Sequence, residues 1–470
     1  MVNKLTQKPK ELPVTNNEGR FERFNLIENP FPSEPIVNRD SSDRRINGGI
    51  FEGALRKAEY DQVIENYVKQ PHRNPTHLRL GYLMDASYIG RGNGKSAFLL
   101  HVQDAINREY GLDLSDGLNK CFAIYVPPEP GGRTKSFPLF IDCIFDSLVK
   151  SNIIRDCIAI LRLKSIEHLY PDSTAVEQIS DTDDLLTCLE NRDWYQDNSL
   201  DYIKIATDIS ENEFLQELPP EFPLFKESSG RYLFTDLVQT NDFTEYYQIL
   251  KKGSDQINFV FSHLVRFFQA ADFTGCQVLV DDFERIPDFQ SGRQKRDFAT
   301  ELRTILYDGM SVNARIGFFN FLLVLHAGVQ RLIADAWQES GLEMRSPISG
   351  NSSHVVKFEK LNRDHASLLL KTYLNEYRST KNHAIGIEPF TEDAVSKISE
   401  GAEYNAAKIL KAAYSLLEKA ANDISVSVID EDFVIKHHNS DSIQSAKDEG
   451  LSIEKADTTD LIKKARGEIN

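Results

Sequence analysis

Cysteine is sparse and scattered. The five residues, Cys121, Cys143, Cys157, Cys188 and Cys276, form no CxxC pair and have no histidine at metal-ligand spacing. This excludes a disulfide framework or a zinc ribbon and fits a reducing, cytoplasmic setting. Cations are also in deficit, with 54 Lys plus Arg against 71 Asp plus Glu and a formal charge of −17. This balance disfavours an autonomous, sequence-blind nucleic-acid coat, because such binding neutralises phosphates with surplus cations, and leaves a local basic patch open. Long apolar runs are missing as well. The longest, around Phe318 to Leu325, falls far short of the ~20 residues a membrane helix needs. The polar start MVNKLTQKPKELPVTNNEGR offers no signal peptide. A soluble protein with no membrane partner is expected.

What is present suffices for a large globular core: 470 residues, 41% of them apolar and 10% aromatic. The length suggests roughly three structural units. Residues 1–50 read as an arm, where Pro30 and Pro32 in FERFNLIENPFP forbid a regular helix. Residues 51–350 read as an α/β core that opens with an amphipathic helix at Phe51 to Val68. Its predicted strands are LRLGYLMDA, CFAIYVPP, QVLVDD and FFNFLLVLHAG. Each is followed by a helical pattern, the βα order of a parallel sheet. Residues 151–253 are acidic and helix-biased and interrupt this alternation as a largely helical insertion. After the short strand HVVKFEKL only helices follow, a lid domain over 351–436, and residues 437–470 are a polar tail.

The chemistry concentrates in Ile89-Gly90-Arg91-Gly92-Asn93-Gly94-Lys95-Ser96, between a predicted strand and a predicted helix. Backbone N–H groups wrap a phosphate chain only where side chains do not block approach, hence glycines at 90, 92 and 94. The following helix points its positive end at the anion. Gly90, Gly92, Asn93, Gly94, Lys95, Ser96 and Ala97 form the candidate nucleotide-binding stretch, with Lys95 on the terminal phosphates and the Ser96 hydroxyl on Mg²⁺. Ile89 stands where the usual GxxxxGK[ST] pattern has its first glycine. A second element, QVLVDD, ends an apolar strand in carboxylates, at the edge where open α/β sheets bind ligands. Asp281 is the candidate metal anchor. Asp282 takes the water-polarising position where Glu is commoner, with Glu284 two residues on as a helper.

Together these motifs resemble the AAA+ P-loop ATPases, in the initiator-like branch of origin-recognition, transposition-regulator and secretion-type ATPases. The resemblance implies a three-layer α/β P-loop NTPase core with a parallel sheet, and ATP and Mg²⁺ as cofactors. It implies that the arm cups the adenine, with Pro30 and Phe31 as base contacts. It implies a γ-phosphate sensor at His326, assisted by Asn320, and a trans-acting arginine finger at Arg345 in GLEMRSPIS. Lys408 stands where relatives usually carry a nucleotide-contacting arginine of the lid. The basic run Arg285, Arg293, Lys295 and Arg296 is a candidate DNA or subunit interface. The plainer readings of these groups stay open: a structural arm, turn-capping aspartates, a core histidine, a locally paired arginine and a solvated helix face. The span after the lid is too short for the winged helix of origin-recognition relatives.

The expected function is thus a Mg²⁺-ATP-hydrolysing, slow or partner-stimulated AAA+ switch. It forms a homo-oligomer and works with a partner protein in a DNA-directed process such as anti-phage defence or mobile-element control. The rivals are a weakly hydrolysing or non-hydrolysing ATP-binding scaffold and a signal-transduction NTPase, either recruiting an effector such as a nuclease.

Overall fold

The computed structural model describes residues 19–69, 78–86, 91–179, 181–228, 231–234, 238–326, 329–349, 351–380 and 386–437. Ile89, Gly90 and the tail beyond residue 437 lie outside these residues. The chain divides into two compact units. A core unit comprises Arg56–Tyr88 and Lys95–Glu359, and a lid unit comprises Met1–Leu55, Ile89–Gly94 and Lys360–Asn470. These limits differ from the sequence boundaries at 50 and 350, for two reasons given below.

Seven strands are described: β1 Leu80–Asp85, β2 Cys121–Val126, β3 Phe225–Ser228, β4 Arg231–Phe234, β5 Gly275–Val280, β6 Phe319–Leu325 and β7 Val355–Phe358. The core sheet runs β2-β5-β6-β1-β7 and is parallel throughout. Every residue of β5 and β6 is buried. Because neighbouring side chains on a strand point to opposite faces, such unbroken burial means that both faces are covered, giving a three-layer α/β fold. Edge strand β2 is held by the helix Lys95–Arg108, whose Asn107 accepts from Ala123 N–H at 2.7 Å and donates to Ala123 O at 3.0 Å. β7 pairs with β1 in register Tyr82↔Val355 to Asp85↔Phe358. That pairing carries the core past residue 350.

The span 151–253 is helical at Ile153–Leu169, Thr182–Leu189, Arg192–Asp197, Tyr202–Ser210 and Thr240–Ile249. It also contains the antiparallel pair β3–β4, which has no counterpart in the sequence reading. Its apolar residues, among them Ile158, Leu161, Ile205, Phe222 and Phe243, belong to the same hydrophobic cluster as the sheet. Phe145, on the helix Phe137–Lys150, stacks on Tyr247 at 4.0 Å between ring centroids. The span shares the core of the fold.

The lid unit has its own apolar cluster, built from the helices Arg363–Glu376, Glu392–Gly401 and Ala406–Asn422 together with Phe21, Phe24, Leu26 and Phe31 of the arm. Leu26 bridges to Arg378 and Ile27 N–H donates to Tyr377 O at 2.9 Å. Arg20 pairs with Glu418 at 2.8 Å, and Asn29 donates to Glu418 at 2.9 Å. Short polar links and aromatic burial therefore make the arm part of the lid.

Candidate functional site

Strand register brings three chain ends to one edge of the core sheet. Met84 pairs with Leu325 and Val280 with Leu323, so Asp85, Asp281 and His326 all emerge where β1, β5 and β6 end. β6 lies between β1, which leads into the glycine turn, and β5, which carries the aspartates. A residue at the end of β6 therefore stands between the two motifs, and that residue is His326.

On one side of the imidazole, Nδ1 lies 3.1 Å from Lys95 Nζ and 3.5 Å from Asp85 Oδ2. On the other, Nε2 lies 3.3 Å from Asp282 Oδ1 and 3.2 Å from Glu284 Oε1. Burial alone would lower the affinity of the ring for a proton. Hydrogen bonds to Asp282 and Asp85 outweigh burial and raise its pKa to about 9. The Asp282, Glu284 and His326 donor atoms all lie within 4.8 Å of one another, and the shift favours the protonated ring beside the two carboxylates.

Lys95 opens the helix Lys95–Arg108, and its ammonium is buried against Asp85 Oδ2 at 2.5 Å. Burial would raise the Asp85 pKa, but His326 and Lys95 hold the carboxyl below the usual carboxylate range. Asp281 is buried. Its Oδ2 accepts from Tyr125 O–H at 2.6 Å and its Oδ1 from Asp282 N–H at 2.9 Å. Asp282 takes the left-handed conformation, φ 43° and ψ 46°, which Asp tolerates better than most residues. Its carboxylate meets Arg285 at 2.5 Å. Ser96 and Ala97 occupy the next two positions of the helix and are partly exposed.

That combination of a glycine turn, a helix opening on Lys-Ser and a second strand ending in Asp-Asp one strand away decides the fold. The core is a P-loop NTPase-type α/β fold. No protein-family model matches the chain, and no curated protein sequence does. Among solved structures, the chain is similar to the Walker-type ATPase of Pyrococcus abyssi, at 12% identity and TM-score 0.39 over 93% of this chain and 80% of that one. It is also similar to the ORC2 protein of Aeropyrum pernix, solved in ADPNP–ADP complexes, at 11% identity and TM-score 0.40 over 85% of this chain and 68% of that one.

Within the lid unit, Gly92 and Gly94 of the P-loop have φ of 96° and 87°. A Cβ at Gly92 would meet Ala407 Cβ at 2.7 Å and Asn405 Oδ1 at 2.9 Å, so only glycine fits there. Asn405 caps the helix Ala406–Asn422, its side-chain oxygen accepting from Lys408 N–H and its Nδ2 donating to Arg91 O at 2.9 Å. Ala407 N–H donates to Gly92 O at 2.9 Å. The loop carbonyls are thus fixed by the start of the lid helix, and Asn93 between the glycines is buried.

Several sequence candidates sit differently from the reading that nominated them. Phe31 is wholly buried, its ring against Tyr373 and Phe390 at 6.2 and 6.0 Å, and Pro30 beside it is buried too. In this arrangement both are core residues of the lid unit, with no ring face open to a base. Asn320 is buried near the start of β6 with its amide donating to Phe318 O at 3.1 Å. Six residues of extended chain put it ~20 Å from His326, at the opposite edge of the sheet. Lys408 pairs with Glu403 at 2.7 Å. Arg285 turns inward to Asp282 and Pro128 O, leaving Arg293, Lys295 and Arg296 on the helix Gly292–Tyr307. Arg293 and Arg296 face Asp297 and Glu339 at 3.7 and 3.5 Å, which offsets much of the basic character. Arg345 is exposed in the loop after the helix Val329–Ser340.

Sequence reasoning missed Asp85, Tyr125 and Asn405. Asp85 carries the same signal that singled out Asp281, a carboxylate closing an apolar strand. Asn405 carries an N-cap signal before an amphipathic helix.

Proposed function

We propose that the protein is a Mg²⁺-ATP-dependent ATPase of the AAA+ kind with slow or partner-stimulated turnover. The observation that carries this reading is the buried Lys95 ammonium at the start of its helix, one His326 ring away from Asp282 and Glu284. Lys95 binds the terminal phosphates, and helix and loop N–H groups orient them. Ser96 and Asp281 would hold Mg²⁺. An oxygen-only donor set that includes a buried carboxylate suits this hard cation, and the metal when bound neutralises phosphate charge. Asp282, helped by Glu284, accepts the proton of the attacking water, and His326 senses the terminal phosphate from between the two motifs.

Arg345, exposed and projecting from a loop, serves as the arginine finger toward a neighbouring subunit. Lys408 supplies the lid's cationic contact to the nucleotide, as a point charge in place of an arginine. The helix bearing Arg293, Lys295 and Arg296 contacts DNA or a partner protein, and the switch acts in a DNA-directed process such as anti-phage defence. A second reading, an ATP-binding scaffold that hydrolyses little and recruits an effector, is favoured by Asp282, whose carboxylate is held by Arg285 and His326. Phosphate release from the purified protein, with and without DNA, separates the two. The ATPase reading expects a rate that Lys95→Ala abolishes; equal rates in both proteins would leave the scaffold.

A further inference from the structure

The residue that sequence reasoning overlooked, Asp85, holds an unusual position. Its side chain is 1% exposed, and one carboxylate oxygen faces both Lys95 Nζ at 2.5 Å and His326 Nδ1 at 3.5 Å. The other oxygen, Oδ1, is buried with no hydrogen-bond partner among the described residues. A buried ionised carboxylate with one bare oxygen is unfavourable by itself and persists only where neighbouring charge compensates. That compensation comes from the ammonium that a nucleotide phosphate would use. A carboxylate oxygen and a phosphate oxygen are both anions drawing on one ammonium, so each weakens the other's hold on it even though its three N–H donors can be shared.

We propose that Asp85 is an internal counter-ion that competes with nucleotide phosphate for Lys95 and so sets the affinity of the site. This rests on the reading of Lys95 as a phosphate ligand. Asp85 acts through Lys95 and is a positioning residue rather than a catalytic one. Its strand fixes its backbone: β1 is paired with β6 as far as Met84 and with β7 through Asp85, so the carboxylate stays within the site when the ammonium changes partner. When Lys95 turns to phosphate, Asp85 retains the His326 Nδ1–H, which keeps the ring oriented with Nε2 toward Asp282 and Glu284. Phosphate binding is opposed by the carboxylate charge a few ångströms away, and affinity is thereby held below what the loop and helix alone would give.

Calorimetry with ATP and Mg²⁺ on the full chain tests this. Asp85→Asn, which keeps shape and removes charge, is expected to tighten ATP roughly ten- to a hundred-fold, while Asp85→Glu stays near wild type. A merely structural Asp85 would make both variants bind more weakly, and equal or weaker binding by Asp85→Asn overturns the proposal while leaving the ATP-binding reading intact. Failure of the wild type and every variant to bind ATP overturns that reading, and the counter-ion proposal with it. If Asp85→Asn does not fold, the double variant Asp85→Asn/Lys95→Met decides by thermal melting. A folded double variant supports the carboxylate as the partner of Lys95, and an equally unfolded one overturns it.

Discussion

Buried charge gathers at the carboxyl edge of the core sheet, where Lys95, Asp85, Asp281 and Glu284 are almost solvent-free. The lid unit buries chiefly apolar helix faces and the aromatic residues of the arm. The contrast separates two kinds of cost. Buried ion pairs contribute little net stability, because desolvation offsets most of their attraction, so a cluster of them is better explained by chemistry than by folding. An apolar cluster such as Phe31, Tyr373 and Phe390 gains stability in proportion to the surface it removes from water. One region concentrates buried charge, and the other packs apolar faces around the glycines of the loop and the start of the lid helix.

The sharpest way to break this contrast is Phe31→Ala. Removing a fully buried ring is expected to destabilise the lid unit by about 3–5 kcal/mol, seen as a lower melting transition, with the ATP affinity of the folded protein unchanged. A selective loss of ATP over GTP affinity in the folded protein would return Phe31 to the role of base contact.

A smaller effect, confined to the core unit, is expected from pH. The His326 pKa, about 9 in the folded chain against an ordinary 6.5, is raised. Its contribution is therefore fully present below pH 6.5 and is lost as pH rises through about 9, on the order of 3 kcal/mol. Denaturation followed between pH 6 and pH 10 should show this fall in wild type and a flatter profile in His326→Gln. A profile that His326→Gln leaves unaltered would mean that the ring is neutral and the cluster is not held by its charge.

The smallest change concerns the link between loop and lid helix. Asn405→Ala removes a helix cap and the hydrogen bond to Arg91 O, together worth about 1–2 kcal/mol. ATP affinity should fall modestly as the loop loosens. An unaltered affinity would show that the Gly92–Ala407 contact suffices alone.

The P-loop, the strand–helix alternation and Asp281 were legible because each is a local pattern: glycines before Lys-Ser, and apolar runs closed by carboxylates. Asp85 belonged to the same class of pattern, yet its role depends on register, since only the pairing of β1 with β6 sets it beside His326. The β3–β4 pair was hidden because strands of four residues give too short an alternation to read. Arg285 stood in a basic run along the chain, whereas in space it points into the site.

By itself the sequence determined an α/β core with a phosphate-type loop and a helical end, because turn chemistry and hydrophobic period act over a few residues at a time. Only the tertiary structure decided that the arm belongs to the lid, that β7 closes the core sheet and that Lys95 already has a carboxylate partner. Those outcomes depend on which distant segments exclude water together, and no local spacing records that choice.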